Sequence, residues 1–76
     1  MTKFIVEIKE NDSNIEASIK SNDTKYTREL IINKNDSKFL ELNACIKNFV
    51  CWYLGDKFAE VKTINSTSFE VIKINN

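Results

Sequence analysis

Residues 3–20 read KFIVEIKENDSNIEASIK, and their alternation decides the fold. Phe4, Val6 and Ile8 alternate with Lys3, Glu7 and Lys9, while Ile15, Ala17 and Ile19 alternate with Glu16, Ser18 and Lys20. An apolar period of two marks a strand with one buried face, so the stretch predicts an antiparallel hairpin. Two registers keep the apolar faces together. One sets Glu7 opposite Glu16; the other sets Lys9 opposite Glu16 across a four-residue loop, Asn11 to Asn14. Unlike charges facing each other contribute about 0.2–1 kcal/mol and like charges cost energy. The second register is therefore expected.

The turn of this hairpin belongs to a pattern. Ile8 to Ser13, Ile19 to Thr24 and Ile32 to Ser37 share the form Ile-x-x-Asn-Asp-Ser/Thr. Asn and Asp side chains bond to their own backbone and tolerate left-handed conformations, so each string reads as a strand running into a turn. With a single glycine and no proline, these triplets must supply most of the chain's punctuation. The segment after the second turn, residues 24–33, has mixed signals, because Arg28 interrupts Tyr26, Leu30 and Ile32. A short helix is one reading; the shared turn motif favours a third strand.

Asp36 or Ser37 then offers an N-cap, and one long helix is expected from about Lys38 to Leu54, ended by Gly55. At about 100° per residue, Phe39, Leu42, Ile46, Phe49, Val50 and Tyr53 share one core-facing arc. Beyond it, Phe58 to Ile64 and Phe69 to Ile74 read as a second hairpin around Asn65-Ser66-Thr67, though the last strand does not alternate cleanly. The sum is a single α+β domain over residues 1–76: an antiparallel sheet of about five strands, β-β-β-α-β-β, with one long helix packed on one face.

Composition excludes several classes of function. Eleven basic side chains balance eleven acidic ones over the 76 residues, whereas nucleic-acid binders carry a basic excess that neutralises phosphate. Tyr26, Trp52 and Phe58 as stacking platforms for bases would need that missing basic groove. No apolar run approaches a membrane span and the first residues lack a signal-peptide core, so the expected address is the cytoplasm. Lys, Asn and Ile, all with AT-rich codons, account for 30 of 76 residues, which suggests a GC-poor genome such as that of a low-GC bacterium or its phage.

There is no histidine. Its absence removes the usual neutral-pH general base and every Ser-His or Cys-His nucleophile pair. One glycine cannot build a phosphate-binding loop. Cys45 and Cys51, six apart on one helix, are too far separated for a disulfide and too few for a metal site. The chain is accordingly expected to be no enzyme and to use no cofactor or metal.

What remains is surface. On the back of the long helix, Leu40, Ala44 and Cys51 share a narrow arc, with Lys47 beside them and Trp52 on one flank. Grouped exposed apolar side chains mark partner sites, and Trp is enriched among binding hot spots. The blander alternative folds Trp52 over the sheet edge and leaves Leu40 harmlessly exposed. These five residues are the candidate site. The function expected from them is a non-catalytic interaction module binding a larger protein or itself. A phage or mobile-element inhibitor of a host defence enzyme, in the manner of an anti-CRISPR protein, fits the composition. A small nucleic-acid-binding protein and a self-assembling structural subunit are the rivals.

Overall fold

The hairpin of residues 3–20 forms in the register that the charges favour. In the computed structural model, which describes residues 2–22, 25–55 and 58–73 with the side chains of Phe58 and Ala59 excepted, β1 (Thr2–Glu10) pairs antiparallel with β2 (Asn14–Ser21) and sets Lys9 opposite Glu16. The Asn11 amide closes the loop on the Asn14 carbonyl at 2.8 Å. Its side chain donates to Asn14 at 2.8 Å and to the Glu16 carboxylate at 3.0 Å. The loop is thus tied to the strand by the residue types that made it legible.

Residues 27–33 are a strand, β3 (Thr27–Asn33), paired with β2. The turn after it again uses Asn and Asp. Asn33 accepts the Asn35 amide on its side chain at 2.8 Å, and its carbonyl accepts the Asp36 amide at 2.9 Å. After the helical region, β4 (Phe58–Asn65) and β5 (Ser68–Lys73) form the second hairpin, turned by Asn65 accepting the Thr67 amide at 2.9 Å. The sheet runs β3-β2-β1-β5-β4, with β1 at its centre. Ile74 and the Asp23-Thr24 end of the second turn motif lie outside the described residues.

One sheet face is apolar and covered. Phe4, Val6, Ala17, Ile19, Phe69 and Val71 are buried there with Val50 and Cys51, while Ile15, Ile32 and Phe39 form a second buried cluster nearer β3. Ile8, Leu30 and Ile46 pack against both. The opposite face carries Lys9 across from Glu16 and Lys62 across from Glu70, with Lys3 bridging to Glu70 at 3.9 Å. The irregular alternation of β5 resolves on this division. Phe69 and Val71 face the core, while Ile72 lies half-buried on the charged face, paired with Lys3 and Glu60.

The single long helix expected over Lys38 to Leu54 is instead two short ones, α1 (Ser37–Glu41) and α2 (Ile46–Leu54). Asp36 caps α1, accepting the Lys38 amide at 2.8 Å and the Phe39 amide at 3.3 Å. The helix then stops in a Schellman arrangement. The Ala44 amide reaches back to the Phe39 carbonyl at 2.8 Å and the Asn43 amide to the Leu40 carbonyl at 3.0 Å, the two bonds that satisfy orphaned carbonyls when a left-handed residue ends a helix. Asn43 has φ 63° and Ala44 φ 53°. Asn accepts that conformation readily; Ala does so at a cost of roughly 1–2 kcal/mol. Gly55 ends α2 as expected, at φ 117° and ψ 162°, with the Lys73 ammonium donating to the Leu54 carbonyl at 2.6 Å. A cation at a helix C-terminus also suits the helix dipole.

Candidate protein-interaction face

The break between α1 and α2 rearranges the surface on which the candidate residues lie. Along α2 the inward side chains are Ile46, Val50, Cys51 and Leu54. At 100° per residue this stripe is turned by roughly 75° from the one expected for a continuous helix. Cys51 therefore leaves the outer face and enters the core, 5% exposed among Phe4, Val6, Ala17 and Ile19. Tyr53, expected inside, moves out to 40% exposure.

Of the five candidates, Leu40 on α1 is 55% exposed, Trp52 on α2 is 49% exposed, and Ala44 is exposed in the link between the helices. Lys47 is half-buried and turned toward the sheet, where its ammonium donates to the Thr63 hydroxyl and lies 6.0 Å from the centre of the Phe69 ring. It ties α2 to the second hairpin. Cys51 belongs to the interior, where burial above all, and the nearby Cys45, push its thiol above the ordinary value. Both cysteines are free. Leu40, Ala44 and Trp52 thus remain exposed, while Lys47 and Cys51 are turned inward.

Two residues outside the expected set, Phe49 and Lys38, pack against Trp52. The Phe49 ring meets Trp52 edge-on at 5.3 Å and Phe39 at 6.1 Å, so an aromatic ladder runs from the core to the surface. The Lys38 ammonium lies 5.1 Å from the Trp52 ring centre and 3.2 Å from Glu41. This cation–π contact and the edge-on ring packing hold the indole in place while leaving half of it open. Tyr53 hydrogen-bonds with Tyr26, which packs edge-on against Phe4 at 5.7 Å and lies under Arg28 at 5.6 Å. Phe49 three positions before Trp52 was legible as a helical neighbour; Lys38 was not.

Among the described residues no group of three or more His, Cys, Asp or Glu could hold a metal ion, and no helix is long and apolar enough to cross a membrane. Of the stacking platforms, Trp52 and Tyr26 belong to separate aromatic contacts, and the Phe58 side chain lies outside the described residues. A depression of about 270 Å³ lies between Glu10, Ile15, Lys34, Phe39 and Ala44, and two of these, Lys34 and Glu10, form an ion pair at 2.8 Å. Comparison of the chain with protein-family models, curated proteins and solved structures finds no match in any of the three.

Proposed function

We propose that this chain is a non-catalytic binding module that acts by occupying a surface of a larger protein. One observation carries the reading: a half-exposed indole, fixed from behind by Phe49 and from the side by Lys38, on a helical layer that also exposes Leu40 and Ala44. A rigid aromatic with one open face loses little conformational freedom on binding, and that is why Trp dominates hot spots. The face lies on the helical layer, on the other side of the sheet from its charged face, and exposed apolar side chains there suit a partner.

The narrower form of the reading names the partner class. A chain rich in Lys, Asn and Ile with no histidine fits a phage or mobile-element product that blocks a host defence enzyme by occlusion, the manner of an anti-CRISPR protein. This part rests on composition. It is tested by immobilising the chain, passing a soluble extract of a low-GC host over it, and repeating with Trp52→Ala combined with Leu40→Asp. The expected result is a defence enzyme retained by the native chain and lost by a double variant that still melts cooperatively. Loss of a central hot spot weakens binding by about 2 kcal/mol or more, roughly 30-fold. A partner held equally by both proteins removes this face from the function.

A further inference from the structure

The sheet has two free edges, β3 and β4, and they are not equivalent. β4 is interrupted by register shifts between Phe58 and Glu60 and between Thr63 and Asn65. Such irregularities are a standard way to spoil an edge for further pairing. β3 has no such irregularity, and its only charges are Arg28 and Glu29 near one end. Its pairing with β2 is continuous from Thr27 to Asn33, and it contains no proline. The side chain at its middle on the outer sheet face, Ile31, is 73% exposed, the largest exposure among the described large apolar residues.

The backbone of β3 points outward at known positions. Ser21 donates to the Tyr26 carbonyl and Lys34 to the Ser13 carbonyl. Strand residues alternate in the direction of their polar groups, so residues 26, 28, 30, 32 and 34 face β2 while Thr27, Glu29, Ile31 and Asn33 face away from the sheet. Among the described residues, no hydrogen bond reaches the outward amides of Glu29 and Ile31. We infer that β3 pairs antiparallel with β3 of a second copy of this chain about a two-fold axis at Ile31, joining two sheets into one of ten strands.

The occupant follows from self-complementarity. With Ile31 opposite Ile31 of the other copy, the outward amides and carbonyls of Ile31 meet each other and the Glu29 carbonyl meets the Asn33 amide, while the Asn33 carbonyl already accepts the Asp36 amide. On the inner face Leu30 meets Ile32, extending the cluster of Ile15, Ile32 and Phe39 across the junction. On the outer face Glu29 meets the uncharged Asn33. Lys34 lies beyond the end of the strand with its ammonium held by Glu10 at 2.8 Å, so no free cation opposes Arg28. The chain carries no net charge, so long-range repulsion between copies is absent. A junction of one short strand is small, below the roughly 1,200 Å² of stable complexes, and the dimer is accordingly a weak one. This inference is independent of the Trp52 face.

Sedimentation of the full chain from about 10 µM to about 1 mM spans the range where weak dimers form. The expected weight-average mass rises from 8.8 kDa toward twice that value. Ile31→Lys is expected to stay monomeric throughout, with an unchanged melt because the side chain is exposed. Ile64→Lys, on the guarded edge, is expected to dimerise like the native chain. Amide exchange gives a second readout without substitution: the Ile31 amide is expected to slow at least threefold across the series. A native chain that stays monomeric with that amide unprotected overturns the inference. So does dimerisation that survives Ile31→Lys, or that is abolished by Ile64→Lys instead.

Discussion

The Lys38 ammonium lies 5.1 Å from the centre of the Trp52 ring, although fourteen positions separate the two residues. On one continuous helix they would stand about 21 Å apart along the axis. The left-handed pair Asn43 and Ala44 turns α2 back on α1 and brings them together. The candidate face is therefore a product of the break, and the break is open to direct test.

Ala44 holds a conformation that costs L side chains roughly 1–2 kcal/mol. Ala44→Gly removes that strain but also loosens the unfolded chain, by about 0.4–1 kcal/mol. A net gain of about 0.5–1 kcal/mol is expected, read as a melting temperature higher by several degrees. Ala44→Val, with a branched Cβ in the same conformation, is expected to shift it downward. If both variants melt below the native chain, the left-handed assignment at Ala44 is wrong.

Gly55 occupies φ 117° and ψ 162°, a region nearly closed to other residues, and an added Cβ would lie 3.0 Å from the Lys73 ammonium that caps α2. Gly55→Ala is expected to cost about 1–3 kcal/mol. Denaturant titration checks it; a midpoint within error of the native value would mean that α2 ends differently in solution.

The two thiols should separate kinetically. Cys45 is half-exposed at the start of α2, while Cys51 is buried with its thiol pushed up by desolvation. One thiol per chain is expected to react with an exchange reagent under native conditions, and the second only at the rate of opening or in denaturant. Rapid reaction of both at neutral pH contradicts the placement of Cys51.

Alkaline pH should weaken the fold. Burial first, and Tyr53 next, raise Tyr26 above its ordinary value of 10.0; burial raises Cys51 above 9.0. Groups raised in the folded state hold their protons more tightly there. Their contribution is complete below the ordinary values and is lost as pH climbs from those values through the raised ones. Urea midpoints are expected to be level near neutrality and to fall from about pH 9 upward, with Tyr26→Phe shedding the upper part of the fall. A flat profile in the native chain excludes both contributions.

The strands, their turns and the caps at Asp36 and Gly55 were legible because each is a local arrangement. A spacing of two, a charge pair such as Lys9 and Glu16, or an Asn that bonds its own backbone does not depend on distant residues. The helix break was hidden by the same logic. Leu42, Ala44 and Cys45 do not oppose a helix, and Asn43 alone is a weak stop signal beside glycine.

By itself, then, the chain determined five strands, their pairing within hairpins, and a helical segment between them. The tertiary structure decided where that segment bends and which side chains face out. The reason is geometric. Phe39 and Cys51 lie about 120° apart around a straight helix, too far for both to sit at the centre of one buried stripe. The sheet offers each its own cluster, one with Ile15 and Ile32 and the other with Val6 and Phe69. Both can be buried only if the helix breaks between them, and that break sends Cys51 inward and places Trp52 beside Lys38.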